Sequence, residues 1–452
     1  MTLPGKLIDA LKGISGFEKI AFEKLHSSGE QVTSIRINPS KILQYPEVHC
    51  LGGDSGEPIP WAANGFYLYE RPSFTFDPLF HAGTYYVQEA SSMFLEQVLK
   101  QTTDLSKPLR VLDLCAAPGG KSTHIQSLIS KDSLLVSNET IRSRAKILED
   151  NIIKWGAENV LVTSNDPKDF SILENYFDVI VVDAPCSGSG LFRRDPEAIG
   201  EWSENNVALC SQRQQRILAD IWPALKEDGI LIYSTCSYSE EEDEDICKWL
   251  EEQYSIRNIQ LSIEKGWGIT SSGGGYRFWP DKVKGEGFFL ACFQKKEPGT
   301  ASRNTPRAFP VRLEKNEIKI VEKWIVTEER FFLKHLNTVY AWPAALVNDM
   351  AFLLERLRVG YSGILIGELV RDKLVPAHSL AMSLATSPLV ERTPLELPGA
   401  INYLQKKELG MIPSNKGWQM VTYKEHPLGW INALPNRINN YYPKAMRILK
   451  NN

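Results

Sequence analysis

Phe177-Asp-Val-Ile-Val-Val-Asp-Ala-Pro-Cys-Ser-Gly-Ser-Gly-Leu191 decides how this chain is read. Its β-branched apolar run predicts a strand buried on both faces that ends at the carboxylate of Asp183. Pro185 has no N–H for a sheet ladder, so the strand stops there and a Gly/Ser loop follows. Open α/β sheets bind ligands at the carboxyl ends of their strands, which puts Asp183 and Cys186 over a candidate site. Taken alone, the stretch reads equally well as a core strand and an ordinary loop. A second cysteine in a matching place tips the balance: Cys236, in Ser234-Thr-Cys-Ser237, follows the apolar run Gly229-Ile-Leu-Ile-Tyr233.

Outward from these two stretches, segments of strand and helix period alternate from Arg110 to Phe293. The alternation predicts βαβ units and an α/β fold with a doubly wound, mostly parallel, Rossmann-like sheet. Residues 81–296 are assigned to it. Residues 1–80 read as a small N-terminal accessory domain: a helical hairpin over Leu7–Leu25, broken at Gly13–Gly16, then a strand at Ser34–Asn38 with Arg36 opposite its apolar neighbours. A turn-rich loop follows at 52–58. Residues 297–311, rich in Pro, Ser, Thr and Arg, read as a linker. Residues 312–385 form a first C-terminal domain that opens on a helix over Glu314–Leu336 with a Trp324/Phe331/Phe332 face. Residues 386–452 carry short strands with Gly and aromatics and end in a basic, aromatic segment.

The 452 residues carry net charge −4. Residues 1–300 are at −12 (30 Lys and Arg against 42 Asp and Glu) and residues 301–452 at +8 (21 against 13). A basic C-terminal third fits a nucleic-acid partner. The first residues lack the apolar core of a signal peptide, and no run is long enough to span a bilayer, so a cytoplasmic chain without a membrane partner is expected. Seven scattered cysteines, with no C-x-x-C pair and no clustered His, argue against a disulfide framework or a metal site. Cys50, Cys115, Cys210, Cys247 and Cys292 are expected as core filler.

The first strand-to-helix turn is Asp113-Leu-Cys-Ala-Ala-Pro-Gly-Gly-Lys-Ser122. Gly119 and Gly120 let backbone approach a ligand, and the helix N-terminus beyond favours negative charge. A phosphate-binding loop is excluded because Cys115 stands where its first glycine must be. The G-x-G-x-x-G dinucleotide fingerprint is absent. Glu139 closes the second strand, where an acid can bind ribose hydroxyls, and Asp166 follows the third. Together they suit an adenosine-bearing ligand such as S-adenosylmethionine. Beyond Cys236, Ser237 with Glu240 or Ser239 with Glu242 predicts a capping box, and the acidic run there reads as a solvated helix start. Two thiols at neighbouring strand ends suggest one chemistry. Thiolate addition to C6 of cytosine makes its poorly nucleophilic C5 enamine-like and able to attack a methyl sulfonium.

With Leu114-Cys-Ala-Ala-Pro-Gly-Gly-Lys121, Asp183-Ala-Pro-Cys-Ser-Gly-Ser-Gly190 and Ser234-Thr-Cys-Ser237 in order, the chain resembles the Sun/NSUN family of RNA cytosine-C5 methyltransferases. The resemblance implies that Cys236 is the nucleophile and that Cys186 assists breakdown of the covalent adduct. It implies that Cys115, Ala116, Ala117, Pro118, Gly119, Gly120, Lys121, Glu139, Asp166 and Asp183 bind S-adenosylmethionine, with Lys121 and Asp183 also facing the target base. Tyr86–Met93 and Arg193-Arg-Asp-Pro196 look like family segments near substrate. Past residue 300 the chain resembles RsmF-type bacterial 16S ribosomal RNA enzymes with a PUA-like RNA-binding end, on Lys373–Ala381 and His426–Arg447. The resemblance implies a ribosomal RNA substrate, free or in the small-subunit particle, and a monomer. Another ribosomal RNA or a tRNA is the alternative substrate. Two rivals of other classes are a non-catalytic ribosome assembly factor and a DNA cytosine methyltransferase, which would use the Pro-Cys cysteine as nucleophile.

Overall fold

A computed structural model describes residues 2–44, 56–299, 305–410 and 415–450. A ten-stranded sheet organises it. In chain order its strands are β1 (Arg110–Asp113), β2 (Leu134–Asn138), β3 (Val160–Thr163), β4 (Phe177–Asp183), β5 (Leu225–Thr235), β6 (Ile256–Asn258), β7 (Thr270–Ser272), β8 (Gly275–Phe278), β9 (Phe288–Lys295) and β10 (Val359–Ser362). Helices α1 (Gly120–Leu128), α2 (Arg142–Trp155), α3 (Glu204–Ile221) and α4 (Glu244–Gln253) accompany them. The order across the sheet is β7-β8-β9-β5-β4-β1-β2-β3-β10, with β6 on β9. Strands β3, β2, β1, β4 and β5 run parallel. Alternate residues of one strand feed opposite cores: Leu112, Ile180 and Val182 on one face, Val111, Val179 and Val181 on the other. That double burial is why these strands read as continuous apolar runs. The chain reverses winding between β1 and β4, the switch point where such sheets bind ligands.

The N-terminal part has the two expected helices, Gly5–Ala10 and Lys19–Ser28, and a four-stranded antiparallel sheet that includes Ser34–Ile37 and closes with Tyr85–Val87. Arg36 does point away from Ile35, but that side is also buried: its guanidinium bonds Gln88 and Thr123 and lies 4.6 Å from the Trp155 ring centroid. Residues 52–55 of the expected loop, Cys50 and residues 300–304 of the linker lie outside the described residues. The C-terminal part has a five-stranded antiparallel sheet over 311–376 and a four-stranded sheet over 392–440.

Residues of the 312–385 segment enter the core of the central sheet: Trp342, Met350, Phe352 and Leu353 pack in one cluster with Leu112 and Phe177. Asp349 pairs with Arg110 at 2.7 Å and accepts from Tyr176 Oη at 2.8 Å. The same segment supplies β10, antiparallel on β3. Among the described residues no helix is long and apolar enough to cross a membrane.

Two expectations fail and a third holds only in part. The helix predicted over Glu314–Leu336 ends at Val321, and Phe331 and Phe332 lie on the strand Arg330–His335. Glu329 takes a left-handed φ of 59°, which breaks helical period, and the aromatic run then pairs with Thr338–Pro343. The capping box near Glu240 is absent as well: Ser239 makes no side-chain cap bond. The acidic run is solvated only in part: Glu240, Glu241 and Asp245 are exposed, whereas Glu242 and Asp243 are fully buried. A 3-10 turn at Glu240–Glu242 precedes α4, and these carboxylates find partners beneath the strand ends.

Candidate active site

Neighbouring parallel strands β4 and β5 put Asp183 beside Ser234, so both chains leave the sheet at one level. Cys186 and Cys236, a few residues beyond, bring their sulfurs to 3.1 Å. Backbone bonds hold the two loops together: Gly190 N–H donates to Cys236 O at 2.9 Å and Tyr238 N–H to Ser189 Oγ at 2.9 Å. A Cβ on Gly190 would stand 2.4 Å from Gly287 O, so only glycine fits this crossing. Ser234 Oγ donates to Asp183 Oδ1 at 2.8 Å, and Lys121 Nζ, from α1, reaches Asp183 Oδ2 at 2.7 Å. The ammonium also sits 5.1 Å from the Phe288 ring centroid. Four residues singled out from sequence, Lys121, Asp183, Cys186 and Cys236, therefore share one corner. The adjacent Cys236 sulfur, and then burial, push the Cys186 thiol well above its ordinary range.

The β1–α1 turn borders this corner. Gly119 opens α1 with a φ of +113°, a conformation glycine adopts without strain. Side chains of α2 hold the turn from outside: Arg144 donates to Ala117 O at 2.9 Å and Asn151 to Pro118 O at 2.7 Å. Ala116 N–H donates to Asn138 O. Burial raises the Cys115 thiol, so it remains neutral. Glu139 is buried past β2, accepts from Ile141 N–H at 2.9 Å and lies 3.5 Å from Arg144. Asp166, after β3, is the N-cap of Pro167–Ile172, accepting from Lys168 N–H while Asp169 accepts from its own N–H. Cys210, Cys247 and Cys292 are buried, as expected of filler.

Some residues of the corner escaped the sequence reading. Asp113, wholly buried under the turn, accepts from Ser122 Oγ at 2.7 Å and is pushed up to about 7 by that burial. Among the described residues its Oδ1 has no hydrogen-bond partner. Phe288 was passed over, and Ser234 and Glu242, though they stand in stretches quoted above, were given no place in the site. Only the fold brings them in.

An orphaned buried acceptor, a buried carboxylate after β2 and a glycine-led helix N-terminus match the amino, hydroxyl and carboxylate groups of S-adenosylmethionine. Glu139→Ala is expected to weaken binding of this ligand by about 10- to 100-fold, roughly 1.5–3 kcal/mol, measured by calorimetry. Wild-type affinity in that variant would remove Glu139 from the site.

Three family models cover most of the chain: the N-terminal domain of 16S rRNA methyltransferase RsmF on residues 3–90, 16S rRNA methyltransferase RsmB/F on 100–294, and the methyltransferase RsmF PUA domain on 390–448. A protein of Shewanella sp. (strain W3-18-1) named ribosomal RNA small subunit methyltransferase F is 31% identical over 447 residues, 91% of this chain and 90% of its own. The chain belongs to the RsmF family. As an RsmF-family protein it is an S-adenosylmethionine-dependent methyltransferase with a Rossmann-like domain and a C-terminal PUA domain. Its catalytic fold recurs in a methyltransferase homologue from Pyrococcus horikoshii: TM-score 0.50, 26% identity, 65% of this chain and 100% of that one. NSun6 from Pyrococcus horikoshii with SFG has the same fold at TM-score 0.53 and 20% identity, over 65% of this chain and 98% of that one.

Proposed function

We propose that this RsmF-family chain methylates C5 of cytosine in 16S ribosomal RNA through a covalent bond between Cys236 and C6 of the base. The observation that carries the reading is the pair of sulfurs 3.1 Å apart beside the Lys121–Asp183 ion pair. When bound, S-adenosylmethionine supplies an electrophilic methyl on sulfonium. The residues of the chain do the rest. Cys236 Sγ adds to C6 as a thiolate, and the C5=C6 electrons pass toward the base carbonyl and N3, leaving C5 nucleophilic. Lys121 and Asp183, at the same corner, are placed to hold the polar edge of the base and its shifting charge. After transfer, the C5 proton must leave and the Cys236–C6 bond must break.

Cys186 is suited to that second half. In the free protein the leading cause of its raised pKa is the Cys236 sulfur. Once Cys236 is bonded to carbon that contribution falls away, and Cys186 ionises more readily at the stage when the C5 proton has to be taken.

The test is a 16S-derived RNA carrying 5-fluorocytosine, in which C5 holds fluorine and no proton can be removed. A denaturation-resistant complex should form, and peptide mapping should find the link on Cys236. A link on Cys186 would be the DNA-type arrangement. No complex, with no methyl transfer from labelled donor to any 16S RNA, would leave the assembly-factor reading.

A further inference from the structure

The acidic run after Cys236 holds one carboxylate with no part in the chemistry so far. Glu242 has no solvent-exposed surface, yet it carries four hydrogen bonds. Its Oε1 accepts from Ser187 N–H at 2.8 Å and from Gln214 Nε2 at 3.2 Å. Its Oε2 accepts from Ser237 Oγ at 2.6 Å and from Ser187 Oγ. Ser187 is the residue after Cys186, and Ser237 the residue after Cys236. Gln214, from α3, also donates to Pro185 O at 3.1 Å, on the other side of Cys186. One carboxylate thus grips the residue behind each sulfur, and a helix side chain closes the bracket.

Desolvating a carboxylate is costly, and burial alone raises the Glu242 pKa despite the donors around it. A seryl or amide side chain could link two loops with less. What a carboxylate adds is two oxygens at fixed separation, each able to take more than one donor. Its neighbours are used differently. Asp243 and Glu244 face Arg277 and hold the base of α4; Asp243 also accepts from Thr235 Oγ1, one residue before Cys236, whereas Glu242 bonds both cysteine loops.

We propose that Glu242 is a positioning residue that sets the separation and aim of the Cys186–Cys236 pair. The inference deepens the reading above and rests on it for its catalytic consequence, but its geometric content stands on the two loops alone. Since the carboxylate touches neither sulfur nor the place of the base, its loss should act on the chemical step and leave RNA binding alone.

The test uses the full chain with Glu242→Gln, which keeps the shape and one acceptor oxygen, and Glu242→Ala, which keeps neither. Asp243→Asn, which keeps an oxygen to accept from Thr235 Oγ1 and loses only the charge, is the equally buried control. The first readout needs no RNA: the rate at which diamide, a two-electron oxidant of thiols, joins Cys186 and Cys236 in a disulfide. This rate reports how often the sulfurs meet. It should fall about 10- to 100-fold in Glu242→Ala, and less in Glu242→Gln, with Asp243→Asn near wild type. The second readout is the kinetic split, in which kcat falls by a similar factor while KM for RNA stays level. Circular dichroism keeps the comparison to folded variants. Should Glu242→Ala fail to fold, Glu242→Gln carries the test.

A folded Glu242→Gln with wild-type disulfide rate and wild-type kcat would overturn the proposal. So would an equal fall in Asp243→Asn, which would mark a merely structural effect. A slowed disulfide in the Glu242 variants, with no 5-fluorocytosine adduct in the wild type, would keep the positioning role and overturn the cytosine reading instead.

Discussion

Cys236→Ala loses methyl transfer by a factor on the order of 10⁴ or more and forms no covalent complex with RNA, whereas Cys186→Ala accumulates one. The asymmetry follows from the two halves of the proposed reaction. Addition needs a sulfur at C6 and nothing else from the pair, so removing Cys186 leaves it possible. Elimination needs a proton taken from C5, and loss of a positioned base costs about 10²–10⁴-fold in that step alone. The slow step then moves to release, and protein remains bonded to methylated RNA. A denaturing gel with labelled 16S RNA shows it as a shifted band, and mass spectrometry of the band should find the methyl group already on the base. Sulfurs 3.1 Å apart are what make such a hand-over possible without rearrangement of the loops. Two filler cysteines would instead give two variants with lowered stability and no band. The opposite result, a band in Cys236→Ala and none in Cys186→Ala, would exchange their roles.

The largest expected effect on stability lies behind the site. Arg277, buried on β8, bonds Glu244 through Nε at 2.6 Å, lies 3.2 Å from Asp243 Oδ2 and donates to Tyr238 O at 3.0 Å. Arg277→Met leaves two carboxylates without their cation, and breaking a buried pair in this way costs about 3–5 kcal/mol. The pH dependence has a definite sign. Burial already raises Asp243 well above 3.8, and Arg277 opposes that rise. Without the cation the folded-state pKa climbs further. An acid whose folded pKa lies above its unfolded value favours folding fully below the unfolded pKa, and that contribution is lost as pH rises through the folded pKa. The deficit of the variant should therefore be smaller at pH 5 than at pH 8, read from urea midpoints. A deficit under about 1 kcal/mol, or one of equal size at both pH values, would contradict this account.

How far the fold and the site could be read in advance depended on the range of the forces involved. The run Phe177–Val182 announced itself because a strand covered on both faces can hold only apolar side chains. The meeting of Cys186 and Cys236 was legible because adjacent parallel strands end level, so two motifs that each follow a strand must converge. Within the acidic run Glu242, Asp243 and Glu244 were misread, because a run of carboxylates looks solvated unless its partners are known. Those partners are remote: Arg277 lies 33 residues past Glu244, and Ser187 lies 55 before Glu242. Phe331 and Phe332 were misplaced for a similar reason. Their spacing suits a helix locally, and only the pairing strand at Thr338–Pro343 selects the extended form. Asp113 needed the three-dimensional turn above it to be left with one oxygen, Oδ1, that takes no hydrogen bond among the described residues.

Strand β10 has a consequence for how this molecule can be taken apart. Backbone of 358–363 seals the open rim of the parallel strands, with Ser164 N–H donating to Arg358 O and Gly363 N–H to Val160 O. Cutting the chain at its Pro-rich stretch would strip that rim and leave a row of unsatisfied amides beside Leu161 and Val162, an adhesive edge that invites other strands. The catalytic and C-terminal parts are thus stitched rather than tethered. A far end held by such a seam is a rigid outrigger, and whatever it grips would be held at a fixed reach from the paired sulfurs.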